Sequence, residues 1–372
     1  MKTKILLAFC LLLCMLRAHA QATDTTPAQT TDASPAQSSD TPPAQAADDE
    51  STHAGYVPVA TGTIAYVYNV QGGIPTLEPQ IEPLLLVPLG SHLLFENRTE
   101  FEGSFEHRNG TSGDYTGRVF KNVDYVQLDW LANTHVIPVL GKYILPFGLY
   151  AERLDPLWVE NIQDFPIDFG IGTRPYGAGV GPQLRGVAME TPKFNVQYSA
   201  YYSVHDNVTQ LQSARTAGGD ASIYFPGARA EIGSSYQRFL DNRQINNEAV
   251  YATWQPIPSD LDLKFQYSRS YFGHGYWIEG YDMFTWAPVA NNFFRRMQAV
   301  LRGEVSYPLH GGGTGVPTVE VKRAETALNY YIGNDWRLLS SYGRQSDAGR
   351  QFNIWNLGFT YRFVWPLGRE KK

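Results

Sequence analysis

The chain has 372 residues, 13% of them aromatic, and its 30 basic against 36 acidic side chains give a formal charge of −6. That balance offers no positive face to nucleic acid, so nucleic-acid binding is excluded as a function class. The two cysteines, Cys10 and Cys14, both lie in the first apolar run, which leaves the rest of the chain without disulfides or thiolate metal sites.

In chain order, Lys2 and Lys4 precede an apolar run from Ile5 to Leu16 and then Ala18-His19-Ala20, the pattern of a secretory signal peptide over residues 1–20. The run is far shorter than the roughly twenty apolar residues of a membrane anchor. Phe9 and Leu13 stand before the cysteines, where a lipoprotein signal has a small residue. Loss of Lys2, Lys4 and Arg17 leaves 27 basic against 36 acidic residues, a charge of −9.

Residues 21–55 are dominated by Thr, Pro, Ala, Gln and Asp. A Pro-Ala-Gln core recurs in Thr25–Asp32, Ala33–Asp40 and Thr41–Asp48, each closing on aspartate. Such a segment cannot bury enough apolar surface to offset its ordering entropy, and it is expected to be a disordered linker. The folded part is expected over residues 56–372.

From there on the chain alternates with period two and shows no helical periodicity. His92–Glu106 sets Leu93, Phe95, Phe101 and Phe105 against Glu96, Arg98, Glu100, Glu102 and Glu106. Leu261–Tyr271 opposes Leu263, Phe265 and Tyr267 to Lys264, Gln266, Ser268 and Ser270, and Gln298–Tyr307 opposes Leu301 and Val305 to Arg302 and Glu304. Sixteen strands are expected, at 59–67, 80–88, 92–107, 119–131, 134–142, 183–190, 194–204, 220–225, 229–239, 248–255, 261–271, 276–286, 294–307, 322–332, 336–344 and 351–365. In the last of these, Trp355, Leu357, Phe359, Tyr361, Phe363 and Trp365 share one face, and Asn356, Gly358, Thr360 and Arg362 share the other.

A soluble sandwich also alternates, with its apolar face as core. Strand number and the alternation of tight turns with longer connections favour an all-β, transmembrane antiparallel barrel, in which Tyr307, Trp336, Trp355 and Trp365 form interfacial girdles. No stretch after the signal peptide reaches eighteen apolar residues, so helical spans are excluded. Closure satisfies every backbone group in lipid and removes the sheet edge.

The run Gly141-Lys142-Tyr143-Ile144-Leu145-Pro146-Phe147-Gly148 through Arg153-Leu154-Asp155-Pro156-Leu157-Trp158 resembles bacterial outer-membrane porins related to the phosphate-selective porin O and P family, and the resemblance covers about 80–365. It implies a passive diffusion channel for small hydrophilic solutes or ions in the Gram-negative outer membrane, assembled as a homotrimer among outer-membrane lipid. The closing strand resembles the signal read by the barrel-assembly machinery, although Pro366 to Lys372 follow its terminal Trp365. Family members that select phosphate have lysine- and arginine-rich pores, whereas the mature chain here has seven lysines. Two other readings stand beside the channel: a structural or adhesive barrel with a closed lumen, and a barrel hydrolase.

Enzyme signals are sparse, and no enzyme activity, cofactor or metal is expected. Leu309-His310-Gly311-Gly312-Gly313 has the form of a lipase oxyanion run, but no Gly-x-Ser-x-Gly elbow accompanies it, and a glycine-rich surface loop explains it. Ser268 or Ser270 with His274 is the alternative nucleophile pair, read against lumen serines beside a turn. His53, His92, His107, His135 and His205 lack paired ligand spacing. Gly62, Gly72-Gly73 and Gly177-x-Gly179-x-Gly181 are read as turn and loop glycines.

The long connection Tyr143–Pro182 is expected to fold into the lumen, because its many apolar residues need a wall to pack on. Its charged residues Glu152, Arg153, Asp155, Glu160, Asp164, Asp168 and Arg174 are the candidate pore constriction, with a net acidic balance that favours cations. Pairing of these acids with lumen arginines such as Arg98, Arg185 and Arg302 is the competing expectation. The lumen-facing set is Glu96, Arg98, Glu100, Glu102, Lys264, Arg302, Glu304 and Arg362.

Overall fold

The computed structural model describes residues 57–107, 115–154, 156–167, 177–208, 210–241, 245–257, 260–286, 293–310 and 317–368. The signal-peptide and linker expectations lie outside the described residues.

Sixteen strands form one closed antiparallel barrel, each paired to its neighbours in sequence and β1 closing onto β16. They are β1 Val59–Gln71, β2 Ile74–Pro88, β3 Leu93–His107, β4 Tyr115–Trp130, β5 Ile137–Ile144, β6 Ala178–Glu190, β7 Asn195–Ser203 and β8 Thr216–Phe225. The second half holds β9 Ala230–Phe239, β10 Asn246–Ile257, β11 Leu261–Arg269, β12 Gly273–Met283, β13 Met297–Pro308, β14 Val321–Ile332, β15 Trp336–Asp347 and β16 Arg350–Pro366. Every expected strand is present, which settles the barrel against the sandwich.

The wall is inverted relative to a soluble protein. Alternate residues such as Leu140, Trp355, Leu357 and Trp365 are more than half exposed on the outside, while Gln237, Ser268, Ser306 and Thr360 are fully buried within. Lipid in place of water on the outer face makes that arrangement stable. Tryptophans at the short-turn end, Trp130, Trp254, Trp336 and Trp365, form an exposed aromatic row.

Several boundaries differ from the sequence reading. Asn69–Pro79, expected as a long connection, is instead the end of β1, a Gly72-Gly73 turn and the start of β2. Both glycines have positive φ, +61° and +85°, as a two-residue hairpin turn requires. Prolines 75, 79 and 83 conceal β2 from propensity, but β2 pairs with β1 without a break. Its pairing to β3 skips Glu78-Pro79 and Glu82-Pro83, so the missing N–H groups all fall on one side. Gly62 and Gly179 are strand residues rather than loop glycines, and each leaves room for a ring: a Cβ would lie 2.9 Å from Phe363 Cζ at the first and 2.8 Å from Tyr143 Cε2 at the second.

β5 is short and β6 starts early, so the long connection spans residues 145–177. It carries one helical turn, α1, at Tyr150–Arg153.

Candidate functional site

Residues 145–154 and 156–167 lie inside the barrel, and their contacts require this. Leu157 N–H donates to Glu82 of β2 at 3.2 Å, Gly148 N–H to Ser235 of β9 at 2.8 Å, and Leu149 N–H to Gln266 of β11 at 2.7 Å. Arg337 of β15 donates to the Leu157 carbonyl at 2.6 Å, and Asn356 of β16 donates to Asp164 at 2.8 Å. Only a segment within the lumen can touch inward rows spread this far around a closed ring.

Apolar burial fixes the same placement. Leu149, Tyr150 and Leu154 pack on Tyr251 and Trp277, Leu145 packs with Tyr143 and Tyr201, and Ile162 packs on Val300 and Ala327. Each such side chain contributes about 1.5–3 kcal/mol on burial. Among the described residues, all three of these clusters of buried apolar side chains join loop to wall.

A charged ladder on β11–β14 completes the attachment. Lys264 lies 3.6 Å from Glu279, Arg302 2.8 Å from Glu304 and 2.7 Å from Glu325, and Arg323 2.9 Å from Glu304. Arg302 also donates to the Asp164 carbonyl, Arg323 to the Phe165 carbonyl, and Ile167 N–H donates to Glu304. Buried charges of this kind are tolerated when paired and hydrogen-bonded, and Arg302, Arg323 and Glu304 each add such a bond to the loop backbone.

The acids expected to act as a constriction are distributed rather than gathered. Glu152 lies 3.7 Å from Arg185, whose guanidinium also pairs with Asp129. Arg153 pairs with Glu231 of β9 at 2.7 Å, Glu160 accepts from the Tyr150 hydroxyl, and Asp164 accepts from Asn356. Asp155, Asp168 and Arg174 lie outside the described residues.

The remaining lumen residues sit on both sides of the loop. Glu96 accepts from Gln127 at 3.3 Å, Arg98 pairs with Asp124 at 2.8 Å, and Glu100 accepts from Gln80 at 2.6 Å. Arg362 and Arg337 both lie over Trp158, 5.0 and 5.5 Å from its ring centre. Ser268 and Ser270 are buried on the inner row, whereas His274 stacks at 5.1 Å on Tyr307 of the outer row. The structure does not bring that pair together. His310 stacks on Tyr271 at 4.3 Å, and the glycines after it lie outside the described residues. Among the described residues no cluster of metal-ligating side chains occurs.

A cavity of about 350 Å³ lies between the described part of the loop and the β1–β6 wall. Glu78, Glu82, Glu100, Glu102, Asp124 and Glu160 line it, against Arg98 and Lys142 as the described cations. Sequence reading missed Glu78, Glu82, the ladder residues Glu279, Arg323 and Glu325, and Arg337 of β15. Strict alternation in the 322–332 stretch carried the signal for Arg323 and Glu325, whereas the β2 prolines masked that for Glu78 and Glu82.

No protein-family profile and no curated protein matches the chain. Among solved structures it is similar to OmpF of Salmonella typhi in complex with daunomycin, with a TM-score of 0.54, 10% identity, 82% of this chain covered and 97% of that chain. OprB of Pseudomonas putida at low pH gives 0.52 with 10% identity, over 83% and 92%. An anion-selective porin from Comamonas acidovorans gives 0.51 with 10% identity, over 82% and 99%. At these identities the likeness is one of fold: a porin-type sixteen-strand barrel.

Proposed function

We propose that the chain is a passive diffusion channel for small hydrophilic solutes in the bacterial outer membrane, exported by its N-terminal signal peptide. The observation that carries this is the charged cavity left between an inward-folded loop and one side of the wall. A barrel of sixteen strands is otherwise wide, and in this reading the loop narrows it and leaves the cavity as the path. The loop with its adjoining wall is the constriction in this reading.

The described lining, with six carboxylates against two cations, favours cations over anions. Phosphate selection, implied by the resemblance to the phosphate-selective porins, fits this lining poorly. A homotrimer and recognition of β16 by the assembly machinery belong to the same reading, supported by the trimer form of a Vibrio cholerae outer-membrane protein with similar fold and by the aromatic alternation of β16. Catalysis gains no support, since Ser268 and Ser270 face away from His274.

The deciding experiment is single-channel recording of the purified mature protein in planar bilayers. Stepwise ohmic current is expected. Insertion of heat-modifiable, folded barrels with no current would overturn the channel and favour a closed structural barrel.

A further inference from the structure

A second cavity, of about 570 Å³, opens on the outside of the barrel over β14, β15, β16 and β1. Thr326 and Ser340 form its floor, and Tyr68, Leu328, Trp355 and Leu357 stand around them. The floor is low because Thr326 and Ser340 carry small side chains among larger neighbours, and beside them the β14–β15 pairing is interrupted between Ala327–Ser341 and Tyr330–Leu338. Within that gap the Ser340 hydroxyl donates to the Leu328 carbonyl at 2.7 Å, so the exposed backbone is satisfied locally and the groove is apolar.

Toward the long-loop rim the same face changes character in steps. Tyr342 pairs across from Thr326 and its ring lies 4.4 Å from that of Trp355. One step further Arg344 pairs across from Ala324, and one beyond that Lys322 pairs across from Ser346. Arg344 and Lys322 are thus diagonal neighbours on the outer face, with backbones about 7–8 Å apart. Both are exposed. The Arg344 guanidinium is held by the neutral Gln351 side chain, and Lys322 pairs with Glu320. Apolar groove, aromatic step and paired cations follow the order of acyl chain, interface and phosphate in a lipid molecule.

We propose that this face binds one phosphate-bearing acylated lipid, with an acyl chain in the groove and its phosphate held by Arg344 and Lys322. The proposal rests on the membrane placement of the barrel and not on conduction. The long loops lie at the external end of an outer-membrane barrel, so the ligand belongs to the outer leaflet. Small floor residues set the fit, because a larger side chain at Thr326 or Ser340 would fill the space the chain occupies.

Native mass spectrometry of the mature barrel in detergent tests this, with bisphosphorylated lipid A, dephosphorylated lipid A and inorganic phosphate as separate probes. One bound lipid A is expected, at least tenfold tighter than the dephosphorylated form. Arg344→Gln with Lys322→Gln should weaken it about fivefold per charge removed. Thr326→Leu with Ser340→Leu should weaken it comparably, and single-channel conductance should be unchanged in both variants. Equal binding of the two lipid forms, unaltered binding in both variants, or full competition by inorganic phosphate would overturn the proposal. So would a filled-groove variant that loses subunits while keeping its lipid, since the groove would then bury a second copy. Should either variant not fold, a lipid A with a photoreactive acyl chain, applied to the unaltered protein, must crosslink within 326–328 or 340–342, and labelling elsewhere only would refute the site.

Discussion

Asn161 donates a hydrogen bond to the Glu279 carboxylate at 2.7 Å, tying the lumen loop to β12. Its Oδ1 accepts from Gln298 at 3.1 Å and its carbonyl accepts from Asn329 at 2.9 Å. One loop residue is therefore gripped by three adjacent strands. Asn161→Leu should cost about 1–3 kcal/mol, because Glu279 and Gln298 would each lose a buried partner while the backbone carbonyl that Asn329 bonds is kept. Urea unfolding of the barrel in detergent reads that loss, and open-channel noise should rise as the loop loosens. No change in either would show that the loop is held by its apolar contacts alone.

Gly148 opens the turn into α1 with φ of +68°. A Cβ there would sit 2.5 Å from Gln266 Oε1, the same atom that accepts from Leu149 N–H. Gly148→Ala thus meets both an unfavourable backbone region, about 1–2 kcal/mol, and a displaced hydrogen-bond acceptor. Folding should persist, with lowered stability and altered conductance. Gln266→Ala should leave the backbone cost out, and comparing the two variants separates strain from lost pairing.

Arg302 is the centre of the ladder, within 3.8 Å of Glu279, 2.8 Å of Glu304 and 2.7 Å of Glu325. Arg302→Met would leave carboxylates buried against one another, and removal of one member of such a network costs about 3–5 kcal/mol. Replacing Glu325 by Met in the same chain should restore part of that loss. A double variant less stable than the single one would show that Glu325 is held by groups other than Arg302.

The linker prediction depends on composition alone. Deleting residues 22–50 should leave a heat-modifiable barrel with unaltered channel conductance, since the folded unit begins near β1. Loss of membrane insertion on deletion would mean that the octads act in export or assembly rather than as a spacer.

How much of this was legible from sequence follows from what each signal measures. Period-two alternation in β3, β11, β13 and β16 reports a wall with two different solvents, and it located the inner charges Arg98, Lys264, Arg302 and Glu304 without any knowledge of pairing. β2 was shortened because its prolines suppress strand propensity, although their missing N–H groups meet the pairing to only one neighbour. Apolar content revealed that residues 145–177 needed a wall, but not which wall. Arg185 was among the arginines expected to pair with the loop acids and lies beside Glu152, whereas the partners of Arg153 and Glu160 depend on how the ring closes, and no local pattern encodes that. Of the acids facing the cavity, alternation placed Glu100 and Glu102 of β3 in the lumen, whereas Glu78 and Glu82 of β2 were missed.

Charge preference is the prediction on which the channel reading is most exposed. Glu78 and Glu102 line the cavity with Glu100, whereas Glu152 is not among its lining residues and stands against Arg185. A carboxylate that lines the path acts on a passing ion at shorter range than one set apart from it. Neutralising the wall should therefore matter more than neutralising the loop. In a salt gradient the unaltered channel should show a reversal potential of cation-preferring sign, and Glu78→Gln with Glu102→Gln should move it toward zero. Glu152→Gln with Asp155→Asn and Glu160→Gln should shift it less. Raised ionic strength should shrink all three differences, because the Debye length falls from about 10 Å at 0.1 M to about 3 Å at 1 M. Anion preference in the unaltered protein would overturn the cation assignment, and a larger shift from the loop variant than from the wall variant would return the constriction to the loop acids.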